Sequence, residues 1–454
     1  MAAAVMCGQA KLPSFSKQTL PNGATLLLLK KTDVPLVSVR AVFRGGAEGE
    51  PAGLHGLASI TSELLQRGTA TRTADQIALD LDSIGARLQL GSDRQMSYVA
   101  TEFVSRTADA ALRVFADVLQ HPVFPEAEVK KVVARAGDQV RAAKDNPGMA
   151  IGRYFNGFYF PPGHPYRYSG AADEASLAKM NREAIEGHYR RMYVGRNLIL
   201  IAVGDFDPAV LGAQLSKVAG ALPAGTQFAP AKVTAPRFET SRLLLVDKPD
   251  ATQTYFRIGM PGVDRTHPDR APLLLVNTIF GGRFTSMLND ELRVNTGLTY
   301  GANSLLGEDR LPGVIAINSY TRTEATERAI DLALAVLGRL TEKGIDAEQL
   351  ASAKAYRKGL FPTNRLETSD QLADVLGELE FYGLNKGEID DLFSRLDAVT
   401  LERANEVAKK FYRHAHLQLC LIGNAAKIRD SVKKYAERMQ VVPVSDPGFT
   451  APPF

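Results

Sequence analysis

The chain has 454 residues, 45% of them hydrophobic, and a net charge of +4 at pH 7. The length suffices for two or more domains, and no run of about 18 apolar residues is present, which argues against a membrane-spanning helix. The basic residues are dispersed rather than striped with aromatics, which argues against a nucleic-acid partner, and two cysteines, Cys7 and Cys420, are too few for a thiolate zinc site or a disulfide framework.

The start, MAAAVMCGQA, lacks the charged n-region and long apolar stretch of a signal peptide. Pro21-Asn22-Gly23 marks a hairpin turn, and 25–31 and 36–43 read as strands. Leu54, Leu57, Ala58, Leu64 and Leu65 recur at helical spacing over 54–65. A second helix is predicted over 73–84, strands over 87–90 and 96–104, and helices over 107–120 and 125–144. A loop-rich passage is expected to Gly170, then short helices to Tyr193, a buried strand over 197–203 and a helix over 208–219. Residues 222–240, with three prolines and no periodicity, read as a linker between domains at 1–221 and 241–454.

The same order then returns. Strands are predicted over 243–246 and 254–260, helices over 272–280 and 285–292, strands over 298–305 and 314–319, and helices from 324 onward. A buried strand over 416–422 and a last helix over 425–439 complete the chain. Val34 onward, VPLVSVRAVFRGG, sits 217 residues before ATQTYFRIGMPGV, and NLILIAVGDFD sits 219 residues before HLQLCLIGNAA. Two matched offsets this long imply a duplicated α+β domain of about 220 residues, two clam-like halves each built on a mostly antiparallel sheet with packed helices.

Within the second half, DELRVNTGLTY (290–300) reads as a helix that ends at Asn295 and Gly297 and turns into a strand. Arg293 and Tyr300 then flank one tight turn, from which a guanidinium and a phenol can both reach a carbonyl or oxyanion. The competing local reading pairs Arg293 with Glu291 or Asp290 and leaves Tyr300 half-buried in the strand.

Taken together and in order, Asn22-Gly23, Gly56-Leu57-Ala58, Gly68-Thr69, Asp145-Asn146-Pro147, His164-Pro165-Tyr166 with Gly170, and Arg293 with Tyr300 resemble the pitrilysin-type (inverzincin) zinc peptidases, in the branch that includes mitochondrial processing peptidase and its bacterial relatives. Active members carry HxxEH on the first helix of the N-terminal half. Two imidazoles at i and i+4 bind zinc, the glutamate between them serves as base, and a further glutamate completes the site. The matching stretch here is GLASITSELLQRGT, which places Ser59 and Glu63 at the histidine positions and Ser62 at the glutamate position. The later glutamate position falls on Gln139. These are poor zinc ligands, so no metal is expected on this chain. An improvised set would have to draw on His55, Glu63 and Asp138, or on His414 and His416 at the edge of a strand.

The Arg293 and Tyr300 pair is retained. In two-chain members of the branch one subunit carries HxxEH and the other presents this pair to its partner's zinc. The resemblance therefore implies a non-catalytic subunit, inactive alone, with an HxxEH-bearing homologue as partner, zinc in that partner and a peptide as substrate. The alternative is a scaffold member without a role in proteolysis. Gly281-Gly282 resembles a shortened form of the family's glycine-rich stretch or is simply a helix break. By analogy with exported bacterial relatives the expected compartment is the periplasm, with the cytoplasm as alternative.

Overall fold

The computed structural model describes residues 10–168, 170–451, 453 and 454. Cys7 lies outside the described residues; Cys420 is fully buried. The chain forms two six-stranded mixed sheets. The first has the order β1-β2-β6-β3-β5-β4, from Ser16–Thr19 (β1), Thr25–Lys30 (β2), Leu36–Arg44 (β3), Arg87–Ser92 (β4), Met96–Val104 (β5) and Leu198–Gly204 (β6). The second has the order β12-β7-β11-β8-β10-β9, from Arg242–Asp247 (β7), Gln253–Pro261 (β8), Ala302–Leu306 (β9), Val314–Arg322 (β10), Gln418–Gly423 (β11) and Arg438–Pro443 (β12). Most pairs are antiparallel. The parallel ones are β2 with β6, and β7 with both β11 and β12.

The duplication extends to register. Leu36 and Arg44 bound β3 as Gln253 and Pro261 bound β8, which keeps the 217-residue offset at both ends. Ala41 faces Leu200 across β3 and β6, and Ile258 faces Leu419 across β8 and β11. A one-residue slip would turn every apolar side chain to the wrong face, so matched apolar patterns impose matched registers.

The central strands of each sheet are buried on both sides. Leu26, Leu200, Val39 and Phe43 point towards helices of the first half, whereas Leu27, Leu29, Ile201 and Val203 pack under Leu372, Val375, Leu376 and Leu379 of the second-half helix Ser369–Tyr382. The exchange is mutual. Leu244, Val246, Cys420 and Ile422 join the first-half core beside helix Pro147–Tyr159, while Leu243, Leu245, Leu419 and Leu421 face helices of their own half. Polar contacts follow the same seam. Arg40 pairs with Asp370 and Asp374 at 3.0 and 2.8 Å, Arg44 donates to the carbonyls of Phe381 and Glu380, and Tyr166 Oη accepts from the Leu311 amide at 3.0 Å.

Several elements differ from the sequence expectation. The passage after Asp145 is a 13-residue helix, Pro147–Tyr159, not a loop. Its glycines and aromatics obscure the helical period, yet Asn146 caps it through the Gly148 amide and Pro147 occupies its first turn. The last predicted helix stops at Val432, and the chain then forms the edge strand β12. The 285–292 helix is only Met287–Asn289, followed by a π-helical turn at Asp290–Asn295, and β9 starts at Ala302 rather than at Leu298. Between Gly220 and Arg242 the chain has neither helix nor strand, and Phe228, Val233 and Phe238 strap it to the first core.

Candidate functional site

Helix Leu57–Leu64 begins at Gly56, whose φ of +87° is left-handed and whose Cβ, if present, would stand 2.7 Å from the Ala172 backbone. The Glu50 carboxylate accepts from the Gly56 and Ala58 amides at 3.1 and 2.9 Å, serving the amides that a helix start leaves unpaired. Burial nevertheless outweighs those bonds and pushes the Glu50 carboxyl up to about 8. Leu57, Ile60 and Leu64 enter the core, and the i, i+4 pair Ser59 and Glu63 faces helix Glu126–Asp145. That helix contributes Arg135 and Gln139, again one turn apart. With Arg153 and the 170–172 backbone they enclose a pocket of about 200 Å³.

The fold thus brings Ser59, Glu63 and Gln139 to one pocket, while Ser62 turns away. Ser62 is fully buried, its Oγ 2.8 Å from Tyr193 Oη, a phenol that burial pushes up to about 12. Glu63 is held by Arg67 at 3.2 Å and by Arg135. Arg153 lies over the Phe449 ring at 4.8 Å, and its buried Nη1 has no hydrogen-bond partner among the described residues. These residues do not fit zinc. The potential ligands are a hydroxyl, an amide and a carboxylate engaged by two guanidiniums, and the pocket carries more positive than negative side chains.

The improvised set is also dispersed. His55 stacks on Tyr168 with ring centroids 3.4 Å apart, and burial pushes its imidazole below the usual range. Asp138 pairs with Arg141. His414 and His416 precede β11, which starts only at Gln418, and His416 has a φ of +59°, so the two do not share a strand face. Among the described residues no three His, Cys, Asp or Glu side chains are grouped to hold a metal.

Arg293 and Tyr300 lie outside that pocket, on the second half. Glu291 pairs with Arg339 at 3.2 Å, so the expected local partner of Arg293 is engaged elsewhere. Arg293 instead lies over the Phe284 ring at 4.6 Å, with no paired carboxylate among the described residues. Tyr300 is 80% exposed on an irregular stretch rather than half-buried in a strand. The backbone between them is pinned. Gly297, in the left-handed region, donates to the Arg293 carbonyl at 3.1 Å, Leu298 donates to Leu292 at 2.9 Å, Thr296 Oγ1 donates to the Glu291 carbonyl at 2.9 Å and Thr321 Oγ1 to Leu298 at 2.7 Å. Gly281 allows a close approach nearby, since a Cβ there would meet the Ser304 amide at 2.4 Å. Sequence reasoning missed Phe284, Arg135 and Arg153. Only Arg135 had a signal, one helical turn before Gln139.

Comparison with known proteins agrees with this architecture. Residues 26–153 match a sequence profile described as insulinase (peptidase family M16), and residues 179–356 match one described as peptidase M16 inactive domain. Similar proteins include the uncharacterized zinc protease YmxG of Bacillus subtilis (strain 168), 22% identical with 88% of this chain and 96% of that protein covered, and an uncharacterized zinc protease of Mycobacterium leprae (strain TN), 25% identical with 88% and 89% covered. Among solved structures, a peptidase M16 inactive domain from Pseudomonas fluorescens superposes with a TM-score of 0.83 at 24% identity, covering 90% of this chain and 98% of that one. A protease from Helicobacter pylori gives 0.82 at 19% identity, covering 91% and 100%. With two profiles of one family matched in succession along the chain, and the paired sheets they imply present, this protein belongs to peptidase family M16.

Proposed function

We propose that this chain is the non-catalytic subunit of a heteromeric zinc endopeptidase, in which a homologous partner supplies HxxEH and the metal. The observation that carries this reading is an asymmetry between the halves. The metal-motif positions hold Ser59, Ser62, an ion-paired Glu63 and Gln139, whereas on a pinned turn Arg293, stacked on Phe284, has no carboxylate partner among the described residues and Tyr300 is exposed. A guanidinium without a carboxylate partner and an exposed phenol can donate hydrogen bonds to a peptide carbonyl or to the negative charge that develops on it. Preorganisation of the backbone means that little ordering remains to be done when the substrate arrives.

In this reading an extended peptide lies between the two subunits. The partner carries out the hydrolytic chemistry, while Arg293 and Tyr300 hold the substrate backbone. The relatives named zinc proteases support a peptidase context, and the periplasm is the proposed compartment by analogy with exported relatives.

The test is peptidase activity on an unstructured fluorogenic peptide, measured for this chain, for an HxxEH-bearing homologue from the same genome, and for the mixture. Activity is expected mainly in the mixture. Arg293→Ala should lower it about a hundredfold or more, the loss typical of an oxyanion-type donor, with assembly by size-exclusion chromatography unchanged. An unchanged rate with Arg293→Ala would make the chain a scaffold, and cleavage by this chain alone would refute the assignment.

A further inference from the structure

The second half has its own pocket, of about 420 Å³, where helix Arg270–Phe280 meets helix Ala347–Arg365. These helices occupy the place in the repeat that helices Leu57–Leu64 and Glu126–Asp145 occupy in the first half, so this is the duplicate of the pocket that holds Ser59 and Gln139. Its chemistry differs. Four arginines line it, and three of them are neutralised. Arg265 pairs with Glu378 at 2.5 Å and Glu388 at 3.1 Å, Arg270 with Glu308 at 2.6 Å and Glu388 at 2.7 Å, and Arg365 with Glu378 and Asp374. Arg357 is the exception. It has neither an ion pair nor a hydrogen bond among the described residues. Burial, the largest cause, pushes its guanidinium below the usual range, with Glu308 opposing the shift and Arg270 adding to it. Beside the charged groups the wall carries an apolar patch of Leu274, Leu360, Phe361 and Leu392, with Tyr356 and Asn364 at its polar side.

We propose that this pocket binds a small organic acid with an apolar body and a single carboxylate, held by Arg357. The apolar wall accounts for the body of the ligand. One uncompensated guanidinium, with a planar fork matched to a carboxylate, accounts for a single negative charge. Because Glu308, Glu378 and Glu388 are compensated by the other three arginines, the lining leaves one positive charge in excess, enough for one negative charge and not for two, which separates a monocarboxylate from inorganic phosphate. The site belongs to this chain alone and is independent of any partner peptidase.

The experiment is calorimetric titration of the full chain with octanoate, octanamide and inorganic phosphate. Octanoate is expected to bind saturably at one site, with no comparable signal from the other two. Arg357→Gln should weaken octanoate about tenfold or more, and Arg357→Lys should retain part of the binding. Because Arg357 has neither an ion pair nor a hydrogen bond among the described residues, the thermal unfolding of Arg357→Gln should match the parent chain; if that variant fails to fold, the contrast of octanoate with octanamide on the parent chain decides alone. Octanamide or phosphate binding as tightly as octanoate, octanoate affinity unchanged by Arg357→Gln, or no saturable octanoate binding would each overturn the proposal.

Discussion

Ser62 and Glu63 are neighbours in sequence and have opposite fates. Ser62 is sealed in the core against Tyr193, while Glu63 reaches the pocket and is claimed by two arginines. A glutamate at position 62 would have to displace the Tyr193 contact, so the packing, as well as the side chains present, disfavours a carboxylate there. Glu50 makes a sharper prediction. Its folded-state pKa, about 8, lies above its ordinary 4.5, so the folded chain holds more protons than the unfolded one between those values. Stability therefore falls as pH rises through that window. Glu50→Gln should flatten this slope, by on the order of 2–4 kcal/mol between pH 5 and 8, as read from urea unfolding at several pH values. Positions 59, 62, 63 and 139 were legible in the sequence through the family resemblance, by counting along the chain from its motifs. The ion pair to Arg135 and the Phe284 stack beneath Arg293 were not, because both join elements whose proximity depends on the fold.

Helix Pro147–Tyr159 is the element least evident in the sequence and among the most consequential. Its glycines and clustered aromatics conceal a helical period, because its second half, from Tyr154 to Tyr159, is buried on every face. The ring of Phe155 sits on Gly259 of β8, where an added Cβ would come within 2.3 Å of Phe155 Cζ. Phe155 is fully buried and cannot step aside. Gly259→Val should therefore destabilise the protein by about 1–3 kcal/mol through overpacking, seen as a lower urea midpoint at unchanged slope. The turn after Met287 makes a related point. An expected plain helix is instead a π-helical turn, which sets where Arg293 leaves the backbone relative to Phe284, and such turns are frequent at functional sites.

At the scale of the molecule the halves are interlocked rather than merely tethered. Each sheet is covered on one face by a helix of the other half, Ser369–Tyr382 on the first and Pro147–Tyr159 on the second. Either half alone would expose a sheet face lined with leucine, isoleucine and valine. Residues 1–221 and 241–454 expressed separately are thus expected to aggregate or to remain molten, and co-expression should recover a soluble complex. The intact chain should unfold in a single transition by near-UV and far-UV circular dichroism. Two soluble halves with native-like spectra would refute the interlock.

The sequence by itself determined the duplication and the α+β class. Those features rest on periodicity and spacing, which act along the chain. The structure decided the rest: the helix exchange, the edge strand β12, the engagement of Glu63 by arginines and the pocket around Arg357. Each depends on which faces of distant segments meet, and an apolar pattern shows that a face is buried without naming the surface that buries it.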